Sequence, residues 1–387
     1  MKPNEGIATR LVVLLAVMAG VSVANLYYCQ PLLNLIREEM GLTEFAVNLM
    51  PVCTQVGYAL GLLLIVPMGD LYNRRTTILC CFAALIGSLL TIAWAGSAEV
   101  LLAASFVTGV CSVAPQVFIP FVSQFAKPGQ KERKVGFILS GLLVGILGSR
   151  VVSGYVGHLW GWRSMYLIAA VMIALSAVVL MRTFPYVEPT FRGKFVRLLY
   201  SIVGLVRKYP RAMLYSIRSG LTFGSLLGMW ACLAFRMKEA PFYAGSDVVG
   251  LLGLCGVAGA LTASNVGRYI PRFGVERING MGVALVVLSW VILAFFDHTY
   301  TGIVAGIILI DIGMQCVQLS NQSATLKLCP EASSRMNTIY MFTYFIGGSM
   351  GTFLAGTLYS LYGWTGTVAS GMVLIGAAMG YSYIKHL

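Results

Sequence analysis

The sequence is poor in charge. Only 11% of its 387 residues are Asp, Glu, Lys or Arg, against 58% that are hydrophobic, whereas a soluble globular chain carries about a quarter charged residues. That leaves too little polar surface for a water-soluble fold of this length, and no stretch reads as a soluble domain. Acidic residues are scarce, 14 against 27 Lys and Arg, and histidine is scarcer: His158, His298 and His386 stand far apart. With no His–Asp or paired-carboxylate constellation and no phosphate-binding loop, a membrane transferase or other enzyme is not expected. The nine cysteines, among them Cys29, Cys53, Cys80, Cys81, Cys111 and Cys329, lie in apolar runs without a CxxC pair. They read as small apolar filler, so no metal and no cofactor is expected.

What is abundant is long apolar sequence. Crossing a hydrocarbon core of about 30 Å takes about 20 apolar residues in a helix, and mean hydropathy is +0.82. Twelve runs reach that length: near 10–36, 46–69, 76–95, 100–125, 135–158, 163–182, 213–235, 247–267, 278–296, 301–325, 336–361 and 364–384. The first lacks a small-residue cleavage site and reads as a span rather than a removable signal. Connections are short except for 183–212, which carries Arg192, Lys194, Arg197, Arg207, Lys208 and Arg211. The expected organisation is therefore a six-helix unit over 1–182, a cytoplasmic linker loop over 183–212 and a second unit over 213–387.

Lys and Arg gather on the cytoplasmic side of membrane proteins. With the N-terminus inside, Arg37, Arg163, Arg236 and Lys238 fall outside, Arg150 and Arg218 fall within spans, and the other 21 of the 27 lie on cytoplasmic segments. Both termini are thus expected in the cytoplasm. The net charge of +13 is a topology signal, and nucleic-acid binding is not expected because no basic soluble surface with interleaved aromatics is present.

The two halves repeat. Gly154 and Gly161-Trp162 recur as Gly356 and Gly363-Trp364, and Gln116, Arg133 and Gly145 meet Gln318, Arg335 and Gly347, all at an offset of 202; Gly69 and Arg74 meet Gly267 and Arg272 at 198. An even number of spans per copy makes the copies parallel, the plan of one large class of secondary transporters.

At this point the chain resembles the major facilitator superfamily over its full length. Gly69-Asp70-Leu71-Tyr72-Asn73-Arg74-Arg75 is similar to the family's signature loop after span 2, with Val66 in place of its leading Gly and Leu71 in place of a basic residue. Asn25-Leu26-Tyr27-Tyr28-Cys29-Gln30-Pro31-Leu32-Leu33 resembles a bacterial branch grouped with drug:proton antiporters. Two antiporter signatures are absent: Ser105 stands where span 4 would carry an Arg four residues before Gly109, and span 5 reads Gly148-Ser149-Arg150 in place of a Gly-Pro pair. The resemblance implies an all-α membrane protein of 12 transmembrane helices in two parallel six-helix pseudo-repeats, working as a monomer in the bacterial inner membrane. It also implies a cytoplasmic gate of Gly69, Asp70, Arg74 and Arg75, with Asp70 set against the N-terminus of span 11. Its spans 1, 4, 7 and 10 line a central cavity, which nominates Asn25, Tyr28, Gln116, Trp230, Gln315, Gln318 and Asn321, with Tyr340 and Tyr344 from span 11. Each of these is equally open to a role as interhelical glue.

Three further features come from the residues themselves. Small residues recur every fourth position at Gly141, Gly145, Ser149, Ser153 and Gly157, with counterparts at Gly347, Gly351, Ala355 and at Gly256, Ala260, Ser264; such ridges let helix backbones approach, either as a sliding interface between halves or as static packing. Pro31, Pro115 and Pro120 interrupt spans 1 and 4, where proline bends a helix. Last, an ionised side chain in mid-membrane costs at least about 2.5–3.5 kcal/mol and marks a pathway or a pair. Asp311 and Arg150 fall at overlapping depths near the midplane, and are expected to pair across the halves or to share a substrate site, with Asp311 the candidate proton carrier. Arg218, nearer the cytoplasm, is an anchor or an anion contact. The expected activity is secondary transport of a small, anionic or amphipathic organic molecule by alternating access, with proton-coupled efflux first and proton-coupled uptake of an organic anion or metal chelate second.

Overall fold

The computed structural model describes residues 6–127, 129–186 and 195–386, and no strand occurs among them. The chain runs through α1 (Thr9–Ala24), α2 (Cys29–Met40), α3 (Glu44–Leu71), α4 (Arg74–Ala93), α5 (Ala98–Cys111), α6 (Ala114–Phe125), α7 (Lys131–Trp160) and α8 (Trp162–Thr183). It continues through α9 (Phe195–Lys208), α10 (Pro210–Lys238), α11 (Ser246–Leu252), α12 (Val257–Phe273), α13 (Val275–Phe295), α14 (Tyr300–Leu328), α15 (Ser333–Tyr362) and α16 (Trp364–His386).

Local chemistry sets the boundaries. Thr43, Asn73, Ser97 and Thr299 cap α3, α4, α5 and α14 by accepting a hydrogen bond from a backbone N–H two or three residues on, which satisfies an otherwise orphaned donor. Gly161 and Gly363 separate α7 from α8 and α15 from α16 at φ of +79° and +60°, a region glycine enters without a steric penalty. The tryptophan after each glycine is buried, so the Gly-Trp repeat is a tight turn with a core anchor. Proline does what its chemistry demands: it lacks an N–H and clashes with the carbonyl four residues back. The first long helix breaks over 25–28 just ahead of Pro31, and the α5–α6 helix breaks ahead of Pro115.

Ten helical stretches among the described residues are long and apolar enough to cross a membrane; the α1–α2, α5–α6 and α11–α12 stretches each count as one, and α15 and α16 are not among the ten. Gly, Ser and Thr dilute both sequences. Packing explains the dilution in part: α15 runs along α10 and α3, and a helix with protein neighbours has less need of apolar side chains. The least apolar of the ten, α10, is also 94% buried, whereas the α7 window is only 17% buried and shows Val144, Val152 and Leu159 on its outer face. A multi-pass membrane protein follows, with α10 inside and α7 against lipid.

The helices sort by contact into α1–α8 and α10–α16, and the same joint recurs in each set. In the first, Gly20 of α1 meets Gly141 and Gly145 of α7; in the second, Gly220 and Gly224 of α10 meet Gly347 and Gly351 of α15. The small-residue ridges therefore serve mainly within a set. Across the sets, the ridge residue Gly256 lies against Leu147 of α7 and Gly157 lies near Ser246 of α11, while Gly154, outside the ridges, abuts Ser246 and Gly250.

Between the sets, one end is closed and the other parts. At the end bearing Met40, Phe45 packs on Phe353 (5.8 Å between ring centroids), Asn48 Nδ2 donates to Thr352 O (3.0 Å), Thr352 Oγ1 donates to Gln55 Oε1 (3.1 Å) and Tyr58 packs on Phe345 (4.5 Å). Ser246 Oγ donates to Gly154 O at 2.9 Å, and Lys238 pairs with Glu38 at 3.2 Å. Towards the opposite end, past Tyr58 and Phe345, α3 and α15 diverge around a cleft of about 370 Å³. The segment expected as a plain linker loop contains α9, whose Ile202 and Leu205 pack with Leu63 of α3 and with Met336 and Ile339 of α15, so this helix touches both sets at the open end.

Backbone contact at glycine should be intolerant of any side chain. Gly20→Val places a Cβ about 2.6 Å from Gly141 O, and we expect this change and Gly224→Val each to destabilise by about 1–3 kcal/mol. Gly148→Ala, with nothing within 4 Å of the added carbon, should be neutral; thermal unfolding of the purified protein in detergent separates the two outcomes.

Candidate functional site

Arg150 sits where five elements meet. Its Nε donates to Gln30 Oε1 of α2 at 2.8 Å, and its guanidinium lies 4.1 Å from the ring centre of Trp230 on α10 and 5.1 Å from that of Tyr27 in the α1–α2 break. Gly253 gives it room, since a Cβ there would lie 2.9 Å from the Arg150 Cβ, and Gly256 faces Asp311 Oδ2 in the same way at 3.5 Å. Both glycines belong to a 3-10 turn, Gly253–Gly256, that joins α11 to α12. Arg150 is only 5% exposed, and Gln30 and Trp230 are 1% exposed.

Asp311 of α14 lies within range of the Arg150 charge, as the shared depth in the spans predicts, yet no ion pair joins them among the described residues. Its Oδ2 is buried without a hydrogen-bond partner, as are Gln30 Nε2 and Trp230 Nε1. Of the two arrangements expected, the ion pair is not formed, and both residues flank the Gly253–Gly256 turn. Gln30, Tyr27 and Gly253 were not singled out in the sequence; Gln30 stands within the Asn25–Leu33 motif and one residue ahead of the helix-breaking Pro31, which was the available signal.

The other nominated residues fall into separate clusters. Tyr340 Oη donates to Gln318 O (2.9 Å) and Tyr344 Oη to Gln318 Oε1 (3.0 Å), with Phe223 stacked on Tyr344 at 3.9 Å. Asn25 Nδ2 donates to Val21 O and Ser22 O at 3.0 Å each and so holds the α1–α2 break. Tyr28 is buried, and Gln315 is half-buried on α14.

Arg218 is engaged inside its own set. It forms a fork on Glu276 of α13 (2.8 and 3.3 Å) and donates from Nε to Asn321 Oδ1 at 2.9 Å, while Asn321 Nδ2 donates to Asn279 Oδ1 at 2.8 Å. With its carboxylate partner in place, Arg218 ties α10 to α13 and α14; at 1% exposure it does not snorkel to water as an anchor would.

Gln116, Gly69 and Arg74 line the cleft together with Ser123 of α6, Leu62 and Val66 of α3, and Ser333, Ser334, Asn337 and Thr338 of α15. The cleft touches both sets and lies mostly beyond the nominated cavity residues. Arg74 donates to Gly69 O (3.3 Å) and Gln124 Oε1 (3.0 Å), and Arg75 donates to Met181 O. Gly69 at the end of α3 thus shares a wall with the first turn of α15; the side chain of Asp70 lies outside the described residues. The string Gly347-Gly348-Ser349-Met350-Gly351 has the form GxSxG, but it lies inside α15 with Ser349 Oγ donating to Ile346 O, so it is no strand-to-helix nucleophile turn.

Two long helices are broken, a third carries a 3-10 turn, and a carboxylate with a buried, unpartnered Oδ2 stands beside a buried guanidinium. The chain matches the Major Facilitator Superfamily family model over residues 14–352 and belongs to that family. It is 32% identical over 373 residues to the "Uncharacterized transporter YgaY" of Escherichia coli O157:H7, covering 96% of this chain and 95% of that one. It is 31% identical to the "Probable transporter SCO4007" of Streptomyces coelicolor over 95% and 86% of the two chains. A bacterial homolog of the human lysosomal transporter Spinster, solved in an inward-facing, unoccupied conformation, shares the fold with a TM-score of 0.81 at 14% identity over 97% of this chain and 96% of that one. The protein is thus a membrane transporter of the major facilitator type.

Removing one side of the Arg218–Glu276 fork strands a buried cation, although Glu276 is half-exposed and water screens part of the pair. Glu276→Ala should destabilise by about 1–3 kcal/mol, and the double change with Arg218→Met should recover part of that loss. Denaturation midpoints of the two single variants and the double variant give the coupling; additive losses would show that the fork contributes nothing.

Proposed function

We propose that the protein is a proton-coupled secondary transporter of a small organic anion or amphipathic molecule, working by alternating access with export as its direction. The observation that carries this is the cleft: it opens at one end only and is walled by both helix sets, while the other end is held shut by contacts between them. In this reading α15 and α16 complete twelve spans, residues 1–182 and 213–387 swing as units about the linker at 183–212, and both termini face the cytoplasm of a bacterial inner membrane. The cleft then opens to the cytoplasm, and a solute entering there climbs past Gln116 and the Gln318–Tyr344 contact towards Arg150 and Asp311.

Asp311 supplies the proton step. A buried carboxylate without a hydrogen-bond partner for Oδ2 is held either by attraction to Arg150 or by taking a proton. When a solute anion occupies Arg150, that attraction is shared and protonation of Asp311 becomes easier. Substrate and proton are thereby linked through one guanidinium. Gly69, Asp70, Arg74 and Arg75 form the gate that closes the cleft against the first turn of α15 in the opposite state.

The runner-up is uptake of an organic anion or metal chelate with protons, favoured by the missing antiporter signatures: Ser105 donates to Leu101 O inside its helix, and Arg150 occupies the position after Gly148-Ser149. Proteoliposomes with an imposed pH gradient of either polarity decide between export and uptake. Asp311→Asn should abolish gradient-driven movement while leaving substrate counterflow at equal pH; an unchanged proton dependence in that variant would overturn the assignment of Asp311.

A further inference from the structure

We infer that Arg150, Gln30 and Trp230 form one anion-binding site that takes a carboxylate, and that this site is complete only while the Met40 end is closed. The inference deepens the transport reading above and rests on it. Three facts converge. First, the only hydrogen bond made by the Arg150 side chain among the described residues is from Nε, which leaves the terminal nitrogens of the guanidinium uncommitted. Second, the Gln30 amide that accepts from Arg150 has its own Nε2 buried without an acceptor, and so has the Trp230 indole Nε1. Third, the guanidinium lies over the face of the Trp230 ring, 4.1 Å from its centre, a contact that does not use the indole N–H at the ring edge.

A buried donor without an acceptor is unfavourable, and here Gln30 and Trp230, the two side chains in contact with Arg150, each carry one, beside guanidinium nitrogens that no protein acceptor engages. Every unsatisfied group in the cluster except Asp311 Oδ2 is an N–H, so what completes the cluster is an acceptor-only group with more than one oxygen. A carboxylate meets that description and carries the charge that Arg150 lacks as a bonded partner. A neutral amide of the same shape supplies one oxygen and adds donors, so the site should discriminate between the two. Asp311, across the Gly253–Gly256 turn, repels a second negative charge, which favours a monoanion over a dianion.

The donors come from both helix sets: Arg150 and Gln30 from α7 and α2, Trp230 from α10. A bound carboxylate therefore bridges the sets at the closed end, alongside the Ser246–Gly154 and Lys238–Glu38 contacts. Separation of the sets at that end removes the indole donor and weakens the site, which releases the anion to that side.

The test uses purified full-length protein in detergent micelles, with acetate, lactate and benzoate as probes and acetamide, lactamide and benzamide as their neutral isosteres. At least one carboxylate should raise the unfolding temperature and its amide should not. Trp230→Phe keeps an aromatic face for Arg150 but loses the N–H, and should weaken carboxylate affinity at least about tenfold, with Gln30→Leu acting in the same direction. If no carboxylate stabilises the protein more than its amide, or if Trp230→Phe binds carboxylate as tightly as the parent, the inference fails. Counterflow of the same six solutes in proteoliposomes separates the two readings: movement of neutral solutes without carboxylate binding overturns the anion site and leaves transport standing, whereas no movement of any solute under any gradient counts against transport itself.

Discussion

A guanidinium held inside a hydrocarbon slab dictates much of what surrounds it. Burial of Arg150 is tolerable only because aromatic faces from two directions and the Gln30 carbonyl stand in for water, and those partners come from helices that must break to deliver them. Pro31 ends the α1 ladder so that Tyr27 and Gln30 turn towards α7, and the 3-10 turn at Gly253–Gly256 withdraws side chains from the space that Arg150 and Asp311 fill. The lost backbone bonds are acceptable because the irregular segments face protein rather than lipid. Closure of the Met40 end follows from the same contact, since Trp230 reaches Arg150 only when α10 and α7 lie close.

Much of this was legible in the sequence, for a physical reason. Charges and prolines in apolar runs are conspicuous because the bilayer penalises them, so Asp311, Arg150, Pro31 and Pro115 identified themselves, and the Gly-Trp repeat marked equivalent corners. What could not be read was partnership. Arg218 was visible as an intramembrane cation, but Glu276 lies 58 residues away and only the fold brings it into a fork. Glycine was ambiguous in the same way: Gly141 and Gly347 mark packing within a set, whereas Gly256, in a ridge of the same four-residue spacing, lies against Leu147 of the other set. The break at Gly253–Gly256 carries no proline to announce it. Amphipathic α9 sat unseen in a basic segment because its 14 residues are too few to span a membrane and its partners, Leu63 and Met336, lie in distant spans.

The hydropathy of α10 and α15 illustrates the limit of a composition argument. Apolar content measures exposure to lipid, so it is highest where a helix faces outward and lowest where function needs polar groups inside. The twelve runs found by length include α15 and α16, which a stricter apolar criterion passes over. Ser, Thr and Gly on α15 are no weakness there: they allow α10 to approach at Gly220 and Gly224, and they supply the Thr352 hydroxyl that donates to Gln55 across the sets.

These parts divide the molecule into joints that hold and joints that release. Within each set the glycine contacts place backbone directly on backbone, and because such contacts cannot lengthen without opening a void, each set is stiff. Between the sets, the Phe45–Phe353 and Tyr58–Phe345 packing and the Gly154–Gly250 approach are joined by polar contacts: single hydrogen bonds, one exposed ion pair at Glu38 and Lys238, and the contact of Arg150 with Trp230. Each is individually modest: an exposed pair is worth about 0–1 kcal/mol and an ordinary hydrogen bond about 0.5–1.5 kcal/mol. Polar terms this small can be tipped by a change of one charge among them, while stiff units transmit that change to the far cleft. Placing a buried cation without a bonded carboxylate at this joint, whereas Arg218 within a set has Glu276, gives a solute at Arg150 leverage over the whole molecule.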